Sequence, residues 1–469
     1  MALFSSPSSS SQTSFSSHAS SLIRVGLPLA LSQLSEMAMG VTDTVLLGGL
    51  GVEALAVGGI VNNFFFTIMI MFQAILGGVG VMLSHGRGAQ EHGRDVKHDG
   101  RSIVSAGFVL AVIVFIPCFI ILLCAGYLFT LIGEPTEVIR QGNRFIHILL
   151  VSLFPDLVLI GLCRVALPSL GYERILLWTM PVMAVLNGFT NATFIHGWLG
   201  FPAYGLFGSA RATTLTGWII GIALVVICLC HAVIRPVMCP VRVRWVVLKE
   251  LLKLGLPMMA SAGAELLLFQ IATLQAGRLG THSLAAHQIA LNTSSLLFMV
   301  CLAIGQAANV RVSYWFGAGK KDQALRSAMA ALSLVLMWTF ATGLVLFFVP
   351  GSIARLYYTG APPDAETFAT TIILLRIAGI FQIVDGIQTV CGGALRGCGD
   401  VLAPMLIGVC SYGVLGVGLG SWLAFHCHYG VEGLWIGLAS GLGGTACALG
   451  IRLYRLFYCG EPLNASTSR

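Results

Sequence analysis

The chain has 469 residues, of which 57% are hydrophobic and only 10% charged, with 56 glycines and a net charge of +7. Soluble proteins carry about 25% charged residues, so a water-soluble multidomain enzyme is excluded. The stretches 54–84, 102–133, 327–354 and 401–431 contain no Asp, Glu, Lys or Arg. Each exceeds the ~20 apolar residues that cross a bilayer as a helix.

Residues 1–20 are serine-rich, with no charge apart from His18. They lack the basic n-region of a secretory signal and read as a disordered cytoplasmic tail. Hydrophobic runs then predict twelve spans, at 21–48, 55–84, 102–126, 143–166, 174–196, 204–231, 250–277, 283–310, 327–350, 367–393, 402–425 and 431–456. The segment 232–249, with Pro236, Pro240, Arg242 and Arg244, reads as a cytoplasmic linker between an N-terminal bundle (21–231) and a C-terminal bundle (250–456). Residues 457–469 form a second tail. An even number of spans puts both termini on one side. Most of the 26 Lys and Arg fall on that side, against Arg140, Arg144, Arg278, Arg355 and Arg376 on the other. The positive-inside rule then places both termini in the cytoplasm, so the basic charge reports topology and calls for no nucleic-acid partner.

The chain repeats itself. An ungapped offset of 229 residues pairs Gly26-Leu27-Pro28 with Gly255-Leu256-Pro257, Ser32 with Ser261, Glu36 with Glu265, Thr44 with Thr273 and Asn63 with Asn292. Composition alone does not put two intramembrane glutamates in register. Six spans separate equivalent positions, so the halves share one orientation and are related by an axis along the membrane normal, facing a central cavity. The predicted fold is therefore an all-α polytopic membrane protein of two six-helix repeats.

A carboxylate at the centre of a membrane helix costs ~2.5–3.5 kcal/mol on insertion scales. Glu36, Asp43, Asp156, Arg211, Glu265 and Asp385 nevertheless stand inside predicted spans. Glu265 and Asp385 lie near the middle of theirs at similar depth, with no basic residue at matching depth in the second half. Two close carboxylates do not both ionise cheaply, so a proton or small cation belongs between them. Asp43 follows Glu36 by seven residues, on the same helical face, and Asn187 and Asn191 share a face of span five. Arg211, at comparable depth, is a candidate to neutralise Asp43. Asp156, close to an end of its span, reads as a structural, paired residue.

Thirteen cysteines occur without a C-x-x-C and read as small core residues. His426-Cys427-His428 is too compact for a tetrahedral metal site. Phe64, Phe65, Phe66, Met69, Met71 and Phe72 suit either a cavity for flat lipophilic cations or a lipid-facing surface. With no nucleophile–base pair, phosphate loop or ligand cluster, no enzyme activity and no cofactor are expected.

Met39-Gly40-Val41-Thr42-Asp43-Thr44 with Gly48, Ala285-Ala286-His287-Gln288 with Asn292, Asp385 followed by Ala394-Leu395-Arg396-Gly397 and Asp400, and Gly433-Leu434-Trp435-Ile436-Gly437 resemble the motifs of the multidrug and toxic compound extrusion family, NorM-like branch. The resemblance covers the chain after the serine-rich tail. It implies an antiporter that exports lipophilic cationic drugs by alternating access in exchange for Na⁺ or H⁺. The chain is expected to be a monomer in a bacterial inner membrane, with a eukaryotic membrane the alternative, and to have membrane lipid and small cationic substrates as its partners. The resemblance implies a coupling-ion site at Glu265 and Asp385, the metal ligands if the ion is Na⁺, and an ion-linked group at Asp43, Asn187 and Asn191. Glu36, Arg211, Phe381, Gln288 and Asn292 are possible modulators. Phe381 stands where the sodium-binding version commonly has tyrosine. The rival is a lipid-linked oligosaccharide flippase of the same superfamily, which would need a cationic lumen.

Overall fold

In hydrocarbon every backbone N–H and C=O must be satisfied within its own segment, and long apolar runs meet that demand as helices. The computed structural model describes residues 15–132, 135–358 and 364–459 and is helical throughout, with no strand among them. The first long helix is α1 (Phe15–Gly48). Eleven more are long and apolar enough to cross a membrane: α2 (Val52–Glu91), α3 (Gly100–Leu123), α4 (Thr136–Leu170), α5 (Arg174–His196), α6 (Leu206–Cys230), α7 (Trp245–Arg278), α8 (Thr281–Gly317), α9 (Lys321–Phe348), α10 (Ala365–Gly397), α11 (Leu402–Phe425) and α12 (Gly430–Tyr458). At 34 residues α1 is also long enough to span; Arg24, Glu36 and Asp43 lower its hydropathy.

Three boundaries differ from the sequence reading. The first helix begins at Phe15, so residues 15–20 of the expected tail are helical, and the rest of that tail lies outside the described residues. His18 accounts for the early start, since its ring nitrogens bond Ser327 Oγ (3.0 Å) and Gln323 Oε1 (2.8 Å) on α9. The expected linker holds a one-turn helix, Arg235–Met238, and its last five residues already belong to α7. At the far end α12 runs to Tyr458, and 460–469 lie outside the described residues.

Each bundle has its own apolar core. Phe65, Phe145, Leu110 and Leu153 are buried in the first, and Phe381, Trp435, Leu374 and Leu442 in the second. Three helices are interrupted, α2 by a 3-10 turn at Ala74–Leu76 and two others by π turns. A π-helical turn occupies Pro155–Ile160 in α4 and another Tyr412–Leu419 in α11. Proline lacks the N–H an α-helix needs at that point, which accounts for the π turn at Pro155.

The bundles meet at the end that carries the termini. There Gly26 faces the Ala307 side chain, and a Cβ on Gly255 would stand 2.3 Å from the Ile75 carbonyl oxygen. A Cβ on Gly317 would come 2.2 Å from the His85 carbonyl oxygen, and one on Gly88 closer still to that of Tyr314. Only glycine allows the last three of these approaches. Polar contacts follow the same plane: His85 Nε2 donates to Gly397 O (2.8 Å), Tyr314 Oη to Glu91, and Glu250 receives His98 and Lys97 at 3.0 Å each. Among the described residues, the polar contacts between the bundles all lie at this end. The two bundles therefore splay toward the opposite face.

Candidate ion-coupling site

Asp385 lies at mid-helix in α10 and is 3% exposed. Gly386 lets α10 sit directly against Thr339 and Val335 of α9, where a Cβ would meet them at 2.8 and 2.9 Å. That packing keeps water from the aspartate. Gln382, Asp385 and Gln388 follow at intervals of three and are all buried, a spacing that stacks side chains along one helix face. Gln382 Nε2 donates to Ser294 O (2.7 Å). Its Oε1, Asp385 Oδ1 and Gln388 Oε1 have no hydrogen-bond partner. Buried acceptors are normally satisfied, so three unfilled oxygens on one helix face mark a place for a proton or a hard, oxygen-loving cation.

The other half of the pair comes from α7. Glu265 acts electrostatically on Asp385, and the Arg396 guanidinium, three turns beyond Asp385, acts on Glu265. Tyr412, in the π turn of α11, is 4% exposed and interacts with Glu265, Asp385 and Arg396, with its hydroxyl toward Thr445 of α12. Three helices, α7, α10 and α11, thus bring ionisable groups to the pair, and α12 holds Tyr412 through Thr445. Phe381 faces elsewhere: its ring packs edge-on against Trp435 (5.5 Å) and Phe269 (6.2 Å). Tyr412 is the phenol that acts electrostatically on the two carboxylates.

His287 of the Ala-Ala-His-Gln segment is fully buried. Its Nδ1 accepts from Trp435 Nε1 (3.1 Å) and its Nε2 pairs with Thr273 Oγ1 (3.0 Å), pinning α8 to α12 and α7. Gln288 is half-buried and Asn292 exposed; neither is joined to the carboxylate pair by a hydrogen bond.

In the first bundle Asn191 Nδ2 donates to Asp43 Oδ1 (2.7 Å) and to Asn187 Oδ1 (3.2 Å). Asp43 is 3% exposed, so the three expected residues do form one buried cluster. Arg211 is not part of it. Its guanidinium stacks over the Tyr204 ring at 3.7 Å and makes no ion pair with Asp43. Glu36 is bound by Arg164, Nη1 to Oε2 at 2.8 Å, while Nη2 of the same arginine donates to Gln33 Oε1 (3.1 Å). Tyr412, Gln382, Gln388 and Arg164 escaped the sequence reading. Only the Gln-x-x-Asp-x-x-Gln spacing was a readable signal; Tyr412 and Arg164 reach their partners through tertiary contacts.

At the end away from the termini, Asp364 caps α10, accepting from Thr367 N (3.3 Å) and Oγ1 (3.1 Å) beside His282. Those bonds to Thr367 hold its carboxyl below the usual range.

The family model MatE matches residues 28–193 and again 257–422. Both pairs of limits differ by 229 residues, the offset that aligns Glu36 with Glu265. The chain belongs to the MatE family. It is 42% identical over 441 residues to the "Probable multidrug resistance protein NorM" of Burkholderia mallei, covering 94% of this chain and 93% of that protein. The "Multidrug resistance protein NorM" of Burkholderia vietnamiensis is 42% identical over 442 residues, covering 94% and 95%. Among solved structures, a MATE transporter of Vibrio cholerae superposes with a TM-score of 0.82 at 21% identity, covering 96% of this chain and 99% of that one. A eukaryotic MATE transporter gives 0.83 at 18%, covering 94% and 96%. The architecture is that of MATE transporters: twelve membrane helices in two repeats.

Proposed function

We propose that this MatE member is a cation-coupled antiporter that exports lipophilic cationic drugs, with Glu265 and Asp385 holding the coupling ion and Asp43, Asn187 and Asn191 forming an ion-linked group in the first bundle. The observation that carries the reading is the pair made by half-buried Glu265 and buried Asp385, whose Oδ1 has no hydrogen-bond partner. The drug-resistance names of the Burkholderia relatives support the cargo. The coupling ion is H⁺ or Na⁺. With Na⁺, the carboxylates and the buried oxygens of Gln382 and Gln388 supply ligands. The basic side marks the cytoplasm, so both termini face the cytoplasm of a bacterial inner membrane and the bundles open outward. In that state an ion arrives from outside and neutralises the pair, and a cationic drug held by the same charge is released. Return of the ion inward resets the cycle, so competition for one pair of carboxylates is the coupling. An ion falling through 100 mV supplies ~2.3 kcal/mol per charge.

Ethidium efflux from energised cells lacking their own pumps tests this. Wild type should export and Asp385→Asn, at matched expression, should not; omission of Na⁺ then names the ion. Equal export by both proteins places coupling elsewhere. Absence of export in both favours a lipid-linked oligosaccharide flippase, although acidic groups dominate the membrane interior here.

A further inference from the structure

The 229-residue offset has a second acidic match: Asp156 aligns with Asp385, just as Glu36 aligns with Glu265. The first bundle therefore holds a repeat-related copy of the whole carboxylate pair, separate from Asp43. The likeness is structural as well as numerical. Glu36 on α1 is the charged group that acts on Asp156, as Glu265 acts on Asp385. In each bundle the glutamate has an arginine from the aspartate's own helix, Arg164 two turns beyond Asp156 and Arg396 three turns beyond Asp385.

Asp156 is 8% exposed and forms no ion pair. Its surroundings are complete on every side. From its own helix comes the Ser152 hydroxyl; Arg164 is occupied by Glu36 and Gln33. From α2, Gln73 reaches only the backbone carbonyl of Asp156 (3.3 Å). From α6, Gly217 lies against the carboxyl, where a Cβ would stand 2.7 Å from Oδ1. The facing stretch of α3, Ser102 to Ile116, has no ionisable side chain. A hard metal cation needs about six oxygen ligands around it, and Gly217 pressed on the carboxyl closes one approach to Oδ1. A proton needs no such shell.

We infer that Asp156, paired with Glu36, is a second proton-binding site, in the first bundle, that loads and unloads during the transport cycle alongside Glu265 and Asp385. Glu36 is committed to the Arg164 bridge, so Asp156, which has no ion pair, is the member of the pair left to take the proton. When α1 shifts against α4 within the first bundle during the cycle, the Glu36–Arg164 contact changes and the proton is released. The consequence for transport rests on the antiporter reading above; the site itself does not.

The test therefore begins without drug. Acid-minus-alkaline infrared difference spectra of the purified full-length protein should show a carboxylic-acid C=O component that vanishes in Asp156→Asn, and a separate one that vanishes in Asp385→Asn. Asn has the size and neutrality of a protonated Asp, so folding is preserved, and Asp156→Glu should keep the component at a shifted frequency. A spectrum of Asp156→Asn identical to wild type overturns the site. Proton release on adding ethidium then reads the coupling: Asp156→Asn should lose one proton per drug, while unchanged release overturns a role in transport. A wild type that neither binds nor exports ethidium defeats the drug-pump reading and leaves the infrared result standing on its own.

Discussion

A buried hydroxyl is worth having only where something satisfies it, and Phe381 and Tyr412 illustrate the point. Phe381 lies among Phe269 and Trp435 with no polar neighbour in that ring contact, while Tyr412 turns its hydroxyl toward Thr445 beside the carboxylates. Restoring the common tyrosine by Phe381→Tyr should therefore not strengthen ion coupling. It should cost about 1–3 kcal/mol for a buried, unsatisfied hydroxyl, measurable as a lower Tm in detergent. Tyr412→Phe should instead weaken the apparent ion affinity of efflux at unchanged protein level. Arg211 carries the same lesson in reverse. Similar depth suggested a partner for Asp43, but the guanidinium stacks on Tyr204 and Asp43 is held by Asn191. Arg211→Lys should accordingly leave coupling intact, whereas Asn191→Leu, which strips a buried carboxylate of its donor, should impair it; efflux assays at matched expression distinguish the two.

At the scale of the helix, two features decide how the elements move. The π turns at Pro155–Ile160 and Tyr412–Leu419 fall at Asp156 and Tyr412, and π turns frequently mark functional positions inside helices. They loosen the ladder where a side chain must be re-aimed. The glycines of α2, α7 and α8 do the opposite work, letting helices touch backbone to backbone. A Cβ at Gly255 or Gly317 would fall within 2.3 Å of a carbonyl oxygen of α2, an overlap no real contact allows, so Gly255→Val should prevent closure at the terminus-bearing end. The expected result is folded protein with lost efflux and raised labelling of cysteines placed along that seam. Unchanged efflux would show that the seam need not close this tightly.

For the whole molecule, alternating access requires the two bundles to separate where they now touch. Gly26 and Ala307 face one another across the seam, with 3.7 Å from an added Cβ to the Ala307 Cβ, inside the 3.5–4.5 Å range that a disulfide spans. In a background lacking the native free cysteines, Gly26→Cys combined with Ala307→Cys should cross-link under oxidation, abolish efflux, and regain it on reduction. Efflux that persists in the fully cross-linked protein would rule out rocking about this seam.

Much of this architecture was legible in the sequence because the bilayer leaves a chain few options. Charge-free runs had to be helices, glycine-rich registers had to be packing faces, and a carboxylate among leucines such as Asp385 had to have a purpose. The 229-residue register came from the sequence as well, since duplicated bundles keep duplicated residues. The same register reaches Asp156, but position near a span end alone reads that residue as paired and structural. Only the tertiary structure decided which groups meet. It joined Glu36 to Arg164 across 128 positions, gave Arg211 to Tyr204 rather than to Asp43, set Tyr412 within electrostatic reach of the carboxylates, and left Asp385 and Asp156 without an ion pair. Helix rotation and packing fix those meetings, and neither is written in the hydropathy of a single span. The sequence determined which residues are costly to bury; the fold determined which of them are left to bind an ion.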